Sequence, residues 1–295
     1  MRLTTIFAAI TCASQAVAAP SVLTDLAPIH GLVSAVMGDV GTPTLLLPPR
    51  ADPHSYALRP SDARALSNAE LIIWVGHDLT PWLADPIAAL AKDAISLELL
   101  ETAGWDRREL HDDHGDDNDD HDDHGHGDYD PHAWIDPAVA AVWVGYIADQ
   151  LAVVDPANAA KYQANAESYA AELMRLRTTL KARLAPASGQ PIIWPHDAYG
   201  YFEDAFDLLS VATIADAAAN SPGPAHIAQL RNLPDVACVL ADPEISDRWT
   251  AVIVEGTAAN SGMIDLIGAD VPLGADHYIN TLQAMADTVV NCVGK

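Results

Sequence analysis

Three short segments of the sequence set histidine beside aspartate, proline and aromatic residues: ADPHSYALRPSD around His54, DPHAWIDP around His132 and PHDAYGYF around His196. Neutral imidazole is the commonest protein ligand for zinc, and three imidazoles with one carboxylate complete a tetrahedral shell. Each segment alone has a plainer reading, because Asp-Pro-His is a good turn sequence whose histidine need only be solvated. A fourth stretch is more conspicuous. Residues 111–132 read HDDHGDDNDDHDDHGHGDYDPH, with five histidines and ten aspartates between positions 111 and 130. Such a tract attracts cations by composition, but from His111 to about Gly127 it has no hydrophobic residue with which to anchor itself. Of the other histidines, His30 and His277 read as surface or packing residues, and His77 and His226 carry no assignment.

Bringing three separate loops together requires a scaffold that aims them at one place. Strand patterns at Ser21 to Thr24, Thr44 to Leu47 and Leu71 to Gly76 alternate with helical stretches at Ile29 to Met37, from Ser61, at 85–93 and at 137–153. That alternation is the mark of a parallel sheet with crossover helices. From Pro156 to about Leu184 there is no glycine and no internal proline. A helix over that stretch is about 42 Å long at 1.5 Å per residue, longer than a crossover within one lobe needs. It reads as a rigid connector, with a break near Thr178-Thr179 as the alternative. The alternation then resumes, with strands at Pro191 to Trp194, Leu208 to Ile214 and Ala237 to Ala241, and helices through Phe202 to Phe206, at 224–232, at 247–259 and from Tyr278 to Val293.

The predicted fold is therefore α/β, with two lobes, each a mainly parallel sheet flanked by helices, joined by one long helix and facing each other across a cleft. The expected boundaries are a signal peptide at 1–18, a first lobe at 19–155 containing the loop 111–128, the linking helix at 156–186 and a second lobe at 187–295. In open α/β sheets, ligands bind at the carboxyl ends of the strands. The loops bearing His54, His132 and His196 follow strand patterns, so the three histidines are expected to meet in the cleft.

Composition narrows the setting. Arg2, the apolar Ala-rich stretch after it and Ala16-Val17-Ala18 form a cleavable export signal too short to span a bilayer, which predicts a soluble periplasmic protein. Cys12 lies within that signal, so Cys238 and Cys292 are expected to pair as one disulfide in an oxidising compartment. A net charge of −26 argues against nucleic acid or an anionic membrane as partner. Against a secreted zinc-dependent hydrolase, one alternative, stands the lack of any HExxH motif. A metal-buffering adhesin, with the acidic tract as its main binding site, is another.

The segments ADPHSYALRPSD, AELIIWVGHDL, DPHAWIDP and PHDAYGYF, in that order and with an acidic His-rich insert ahead of the second DPH, resemble the signatures of the ZnuA/TroA-like (cluster A-I) metal substrate-binding proteins of ABC importers. The resemblance covers essentially the whole mature chain. It implies two α/β lobes on a rigid helix and the capture of a metal for a permease in the inner membrane, with no chemistry on the metal. It further implies a monomer and a periplasmic metallochaperone as a partner. Carried over residue by residue, it makes His54, His132 and His196 metal ligands. Asp270, in GADVPLG, is the matching carboxylate, with Asp265 and Asp276 open because one residue is extra before the glycine. Family members that favour manganese carry a carboxylate at the place of His196, so imidazole there implies Zn(II), although copper suits such a site equally well. Asp136 and Asp197 are the carboxylates expected to orient imidazoles, with helix capping as the alternative role. Asp242, in ADPEIS, resembles a family position near the cleft that often carries Glu, with a loop carboxylate making no metal contact as the alternative.

Overall fold

The computed structural model describes residues 18–110, 129–243 and 245–294; residues 1–17 of the expected export signal and the tract 111–128 lie outside the described residues. The first lobe runs β1 (Val22–Thr24), α1 (Ala27–Met37), β2 (Thr44–Leu45), α2 (Pro60–Asn68), β3 (Leu71–Trp74), α3 (Pro81–Leu90), β4 (Ile95–Glu98) and α4 (Pro137–Val154). After α5 (Ala159–Leu184) come β5 (Pro191–His196), α6 (Gly200–Phe206), β6 (Leu209–Ala215), α7 (Pro224–Arg231), β7 (Cys238–Ala241), α8 (Asp247–Val254), β8 (Asn260–Met263) and α9 (His277–Val293). Each lobe holds a four-stranded parallel sheet, in the orders β2-β1-β3-β4 and β6-β5-β7-β8. Both sheets place the second strand in sequence at one edge and the fourth at the other.

The inner strands explain why the sheets form. Val22, Leu23, Leu71, Ile72, Ile73 and Trp74 are all buried, as are Cys238, Val239, Leu240 and Ala241, because helices cover both faces of a parallel sheet. Edge strands are different. β4 (ISLE) and β8 (NSGM) alternate partly buried and exposed positions and lack a continuous apolar run, which is why sequence patterning missed both. The pattern at Thr44 to Leu47 is a strand only over Thr44–Leu45, although the amides of Leu46 and Leu47 still donate to the carbonyls of Thr24 and Asp25.

The linking helix is continuous. Its buried stripe, Tyr162, Ala166, Tyr169, Leu173, Leu176, Leu180 and Leu184, advances by three or four residues and packs against α1, α4 and α9. Thr178 and Thr179, where a break was the alternative, stay helical, their hydroxyls donating to the carbonyls of Met174 at 3.0 Å and Arg175 at 2.9 Å. α4 is long and apolar enough to cross a membrane by length and composition; here its apolarity serves packing against α5 and α1. Cys238 of β7 and Cys292 of α9 form the expected disulfide. On the cleft side the lobes are stitched by Trp134, whose indole N–H donates to the Leu266 carbonyl at 3.2 Å while its own carbonyl accepts from the Tyr278 hydroxyl at 2.6 Å.

Candidate metal centre

His54 lies in the loop that follows β2. The Asp52 carboxylate accepts from the His54 amide at 2.8 Å and the Ser55 hydroxyl at 2.6 Å, closing the turn, and the Trp82 indole N–H donates to the Pro53 carbonyl at 2.7 Å. His132 lies on the long connection between β4 and α4. Asp130 accepts at 2.9 Å from both the His132 amide and its ring Nδ1. His196 is the last residue of β5, and its Nδ1 bonds at 2.8 Å to Asp242, which follows the neighbouring strand β7. All three histidines therefore sit beyond the carboxyl ends of parallel strands, where a crevice between lobes is expected.

Their ligand-capable nitrogens lie within 4.8 Å of one another. The rings of His54 and His132 stand 5.5 Å apart and those of His132 and His196 5.7 Å apart, from centroid to centroid. Zinc–nitrogen bonds of about 2.0–2.1 Å put tetrahedral ligands about 3.4 Å apart, so a modest contraction encloses the ion. With Nδ1 of His132 and of His196 donating to a buried carboxylate, Nε2 is the nitrogen each offers to a metal. This is the carboxylate–histidine arrangement that fixes tautomer and ring orientation around zinc. The Nε2 atom of His54 is buried and has no hydrogen-bond partner among the described residues, a cost that a metal ion would remove.

Protonation is held off by the surroundings. Burial, then the neighbouring His132, push the His54 imidazole down to about 3, against the opposing pull of Asp52 and Asp216. His132 is also lowered, mainly by burial, although Asp130 favours its charged form. Imidazoles kept neutral near pH 7 are ready ligands.

The carboxylates divide differently from the sequence expectation. Asp242 holds His196, and it also accepts from the Tyr199 hydroxyl at 3.1 Å and the Ile245 amide at 2.8 Å. Asp136 does not touch an imidazole. It caps α4 through the Ala138 amide and pairs with Arg177 of α5, which is the capping alternative. Asp197 is partly buried beside Arg108, and its carboxyl is raised by burial and by Asp130. Asp270 lies outside the histidine group and makes an ion pair with Arg50 across the mouth of the cleft. Asp265 accepts from the amides of Ile267, Gly268 and Ala269 and lines the same interlobe cavity as Asp52 and Asp242. Asp276 stands at the start of α9. His30 and His277 are buried packing residues, the former 3.3 Å from the Ser34 hydroxyl and the latter 3.2 Å from the Gly268 carbonyl. Sequence reasoning passed over Asp130 as a partner of His132, although the residue stands two places before it in the DPH motif.

Two parallel α/β lobes on a rigid helix, with histidines from both lobes meeting in the cleft, define the class of metal-capturing substrate-binding proteins. Residues 22–292 match the family described as ZnuA, zinc-uptake complex component A, periplasmic, and the chain belongs to that family. A high-affinity zinc uptake system protein ZnuA of Paracoccus denitrificans (strain Pd 1222) is 37% identical over 300 residues, covering 93% of this chain and 92% of the relative. Among solved structures, a crystal structure of ZnuA superposes with a TM-score of 0.79 at 24% identity, over 93% of this chain and 99% of that one. A ZnuA deletion mutant with zinc bound gives 0.75 at 23% identity, over 93% and 98%.

Proposed function

We propose that this protein captures Zn(II) in the periplasm and delivers it to the permease of an ABC importer in the inner membrane. The observation that carries the reading is the convergence of His54, His132 and His196, from loops of both lobes, to within 4.8 Å. Membership of the zinc-uptake family supports zinc as cargo and a transport partner. Nitrogen-rich ligand sets suit zinc better than manganese, which agrees with three imidazoles.

In this reading His54, His132 and His196 bind the ion through nitrogen, and the fourth position falls to the loop that carries Asp265 and Asp270. Asp270 reaches the metal by leaving Arg50, while Asp265 already lines the cavity. The export signal is removed, the protein acts as a monomer, and a periplasmic metallochaperone can load it. A four-coordinate shell leaves no activated water, so no hydrolysis belongs to this function.

Calorimetric zinc titration of the mature chain tests the proposal. One tight site is expected, lost on replacing any of the three histidines by alanine and retained after deletion of 111–128. A tight site that survives all three substitutions and disappears with the tract would overturn it.

A further inference from the structure

Arg108 stands at the foot of the acidic tract, far in sequence from any histidine of the centre. Its place is fixed by the backbone: its amide donates to the Tyr201 hydroxyl at 2.7 Å and its carbonyl accepts from the Asp130 amide at 2.8 Å. The next residue, Glu109, forms an antiparallel bridge with Tyr129. The guanidinium, mostly covered, faces three carboxylates. Nη1 lies 3.5 Å from Asp130 and 4.0 Å from Asp197, and Nε lies 3.4 Å from Asp204 of α6. Two of these carboxylates bear directly on the centre, since Asp130 holds the His132 ring and Asp197 follows His196 in the chain.

Asp130 is buried with no side-chain exposure. An ionised carboxylate in that place is costly unless paired, and its one cationic contact among the described residues is Arg108. Without that contact the Asp130 carboxylate is free to turn away, which weakens its hold on His132. Space for the guanidinium comes from Gly200, the first residue of α6. A Cβ there would overlap Cζ, Nε and Nη1 of Arg108. The glycine opens room for one side chain from the other lobe.

We infer that Arg108 is a positioning residue for the metal centre: it holds Asp130 aimed at His132, and it ties the loops bearing His132 and His196 together through Asp130, Asp197 and Asp204. The inference rests on His132 being a ligand of the proposed zinc site. Loss of a hydrogen-bonded partner behind a zinc-bound histidine costs about 10–100-fold in metal affinity, and Arg108 acts one residue further out, so about tenfold is expected.

The test uses the mature chain, with zinc dissociation constants from chelator competition and the visible spectrum of the Co(II)-substituted protein as a report on ligand geometry. R108A should weaken zinc about tenfold and shift the cobalt bands. D130N should do the same or more, and R108A in the D130N background should add nothing. G200A, which retains every charge but displaces the guanidinium, should weaken zinc in the natural chain and be neutral in R108A. Unchanged affinity and an unchanged cobalt spectrum in R108A would overturn the inference, as would losses from R108A and D130N that multiply. H132A separates the two levels. If it leaves tight zinc binding intact, the cleft assignment has failed, whereas if it abolishes binding while R108A does nothing, only the role of Arg108 has failed.

Discussion

His132 and His196 are held in one way and His54 in another. The first two are buried, and each is pinned through Nδ1 by a carboxylate that is itself buried, Asp130 at 2.9 Å and Asp242 at 2.8 Å. His54 is only partly buried, among the described residues no carboxylate is hydrogen-bonded to its ring, and what fixes it is the turn closed by Asp52 beneath its backbone. The contrast teaches that the centre is two-thirds prearranged. One histidine from each lobe is held in direction by a buried carboxylate, and the third, on a first-lobe loop at the cleft, is held only through its backbone turn. Rigid ligands give affinity through preorganisation, while a less constrained one gives the ion a way in and out.

Removing ligands should produce the largest effect. H132A and H196A should each weaken zinc by more than 100-fold, beyond the range for outer partners, and H54A should fall short of both. Zinc dissociation constants by chelator competition check the order, and equal losses at all three positions would break the comparison. One step smaller is the removal of the pins. D130N and D242N should each cost about 10–100-fold, mainly through faster zinc release. Replacing Asp52 by asparagine, a change at the turn instead of the ring, should cost less than either.

Protons probe the same asymmetry in the metal-free protein. The folded values of His54 and His132 lie below the unfolded imidazole value of about 6.5, His54 at about 3. Between those limits these two sites bind more protons in the unfolded chain than in the folded one, so their contribution to stability rises with pH there. In the metal-free protein that histidine contribution should be fully present above about pH 6.5 and fall as the medium is acidified toward about pH 3, against an opposite contribution from Asp25 and Glu203, which burial raises to about 7. Urea midpoints of the natural chain and of H54N measured across that range isolate the contribution of His54, and H54N should lose less stability on acidification than the natural chain.

How much of this was legible in the chain follows from the same physics. His54, His132 and His196 stood out because loops that could carry ligands need turn formers, and Asp-Pro-His, around the first two, advertises a turn. The inner strands were readable because burial on both faces demands a continuous apolar run, as in LIIW and CVLA. ISLE and NSGM were not, since an edge strand can be half polar and contain glycine and still pair on one side. Tertiary partnerships were the hardest to see. That Asp242 serves His196 follows from β5 lying beside β7, and that Asp136 serves Arg177 follows from how α4 lies on α5. Neither adjacency is written in local sequence.

Stability of the second lobe offers a smaller, separate test. The disulfide closes a loop with a sequence separation of 54 between β7 and α9. Chain-entropy reasoning gives it about 4 kcal/mol, and none of the three histidines lies inside that loop. The double variant C238S/C292S should lower the urea midpoint while leaving zinc affinity within a few-fold. A large loss of affinity would mean that α9 and the loop before it position the metal more than the histidine pins do.

The smallest expected effect belongs to the carboxylate that sequence reasoning favoured. Asp270 and Arg50 bridge the mouth of the cleft with both side chains well exposed, 83% and 63%. Exposed ion pairs contribute about 0–1 kcal/mol, under a tenfold change in any equilibrium they bias. If Asp270 serves only in this bridge, D270A and R50A should each change zinc affinity by less than about tenfold and should not add in the double variant. If it leaves Arg50 to fill the fourth position, the two variants must diverge: D270A removes a ligand and weakens zinc, whereas R50A frees the carboxylate and strengthens it. D265A completes the comparison, because a carboxylate already steadied by three backbone amides and facing the cavity resembles the pinned histidines, and Asp270 at the rim resembles His54. Opposite signs for R50A and D270A would extend the division between fixed and moving ligands to the fourth donor; matching small losses, with a large one for D265A, would place the whole of the fourth position on the fixed side.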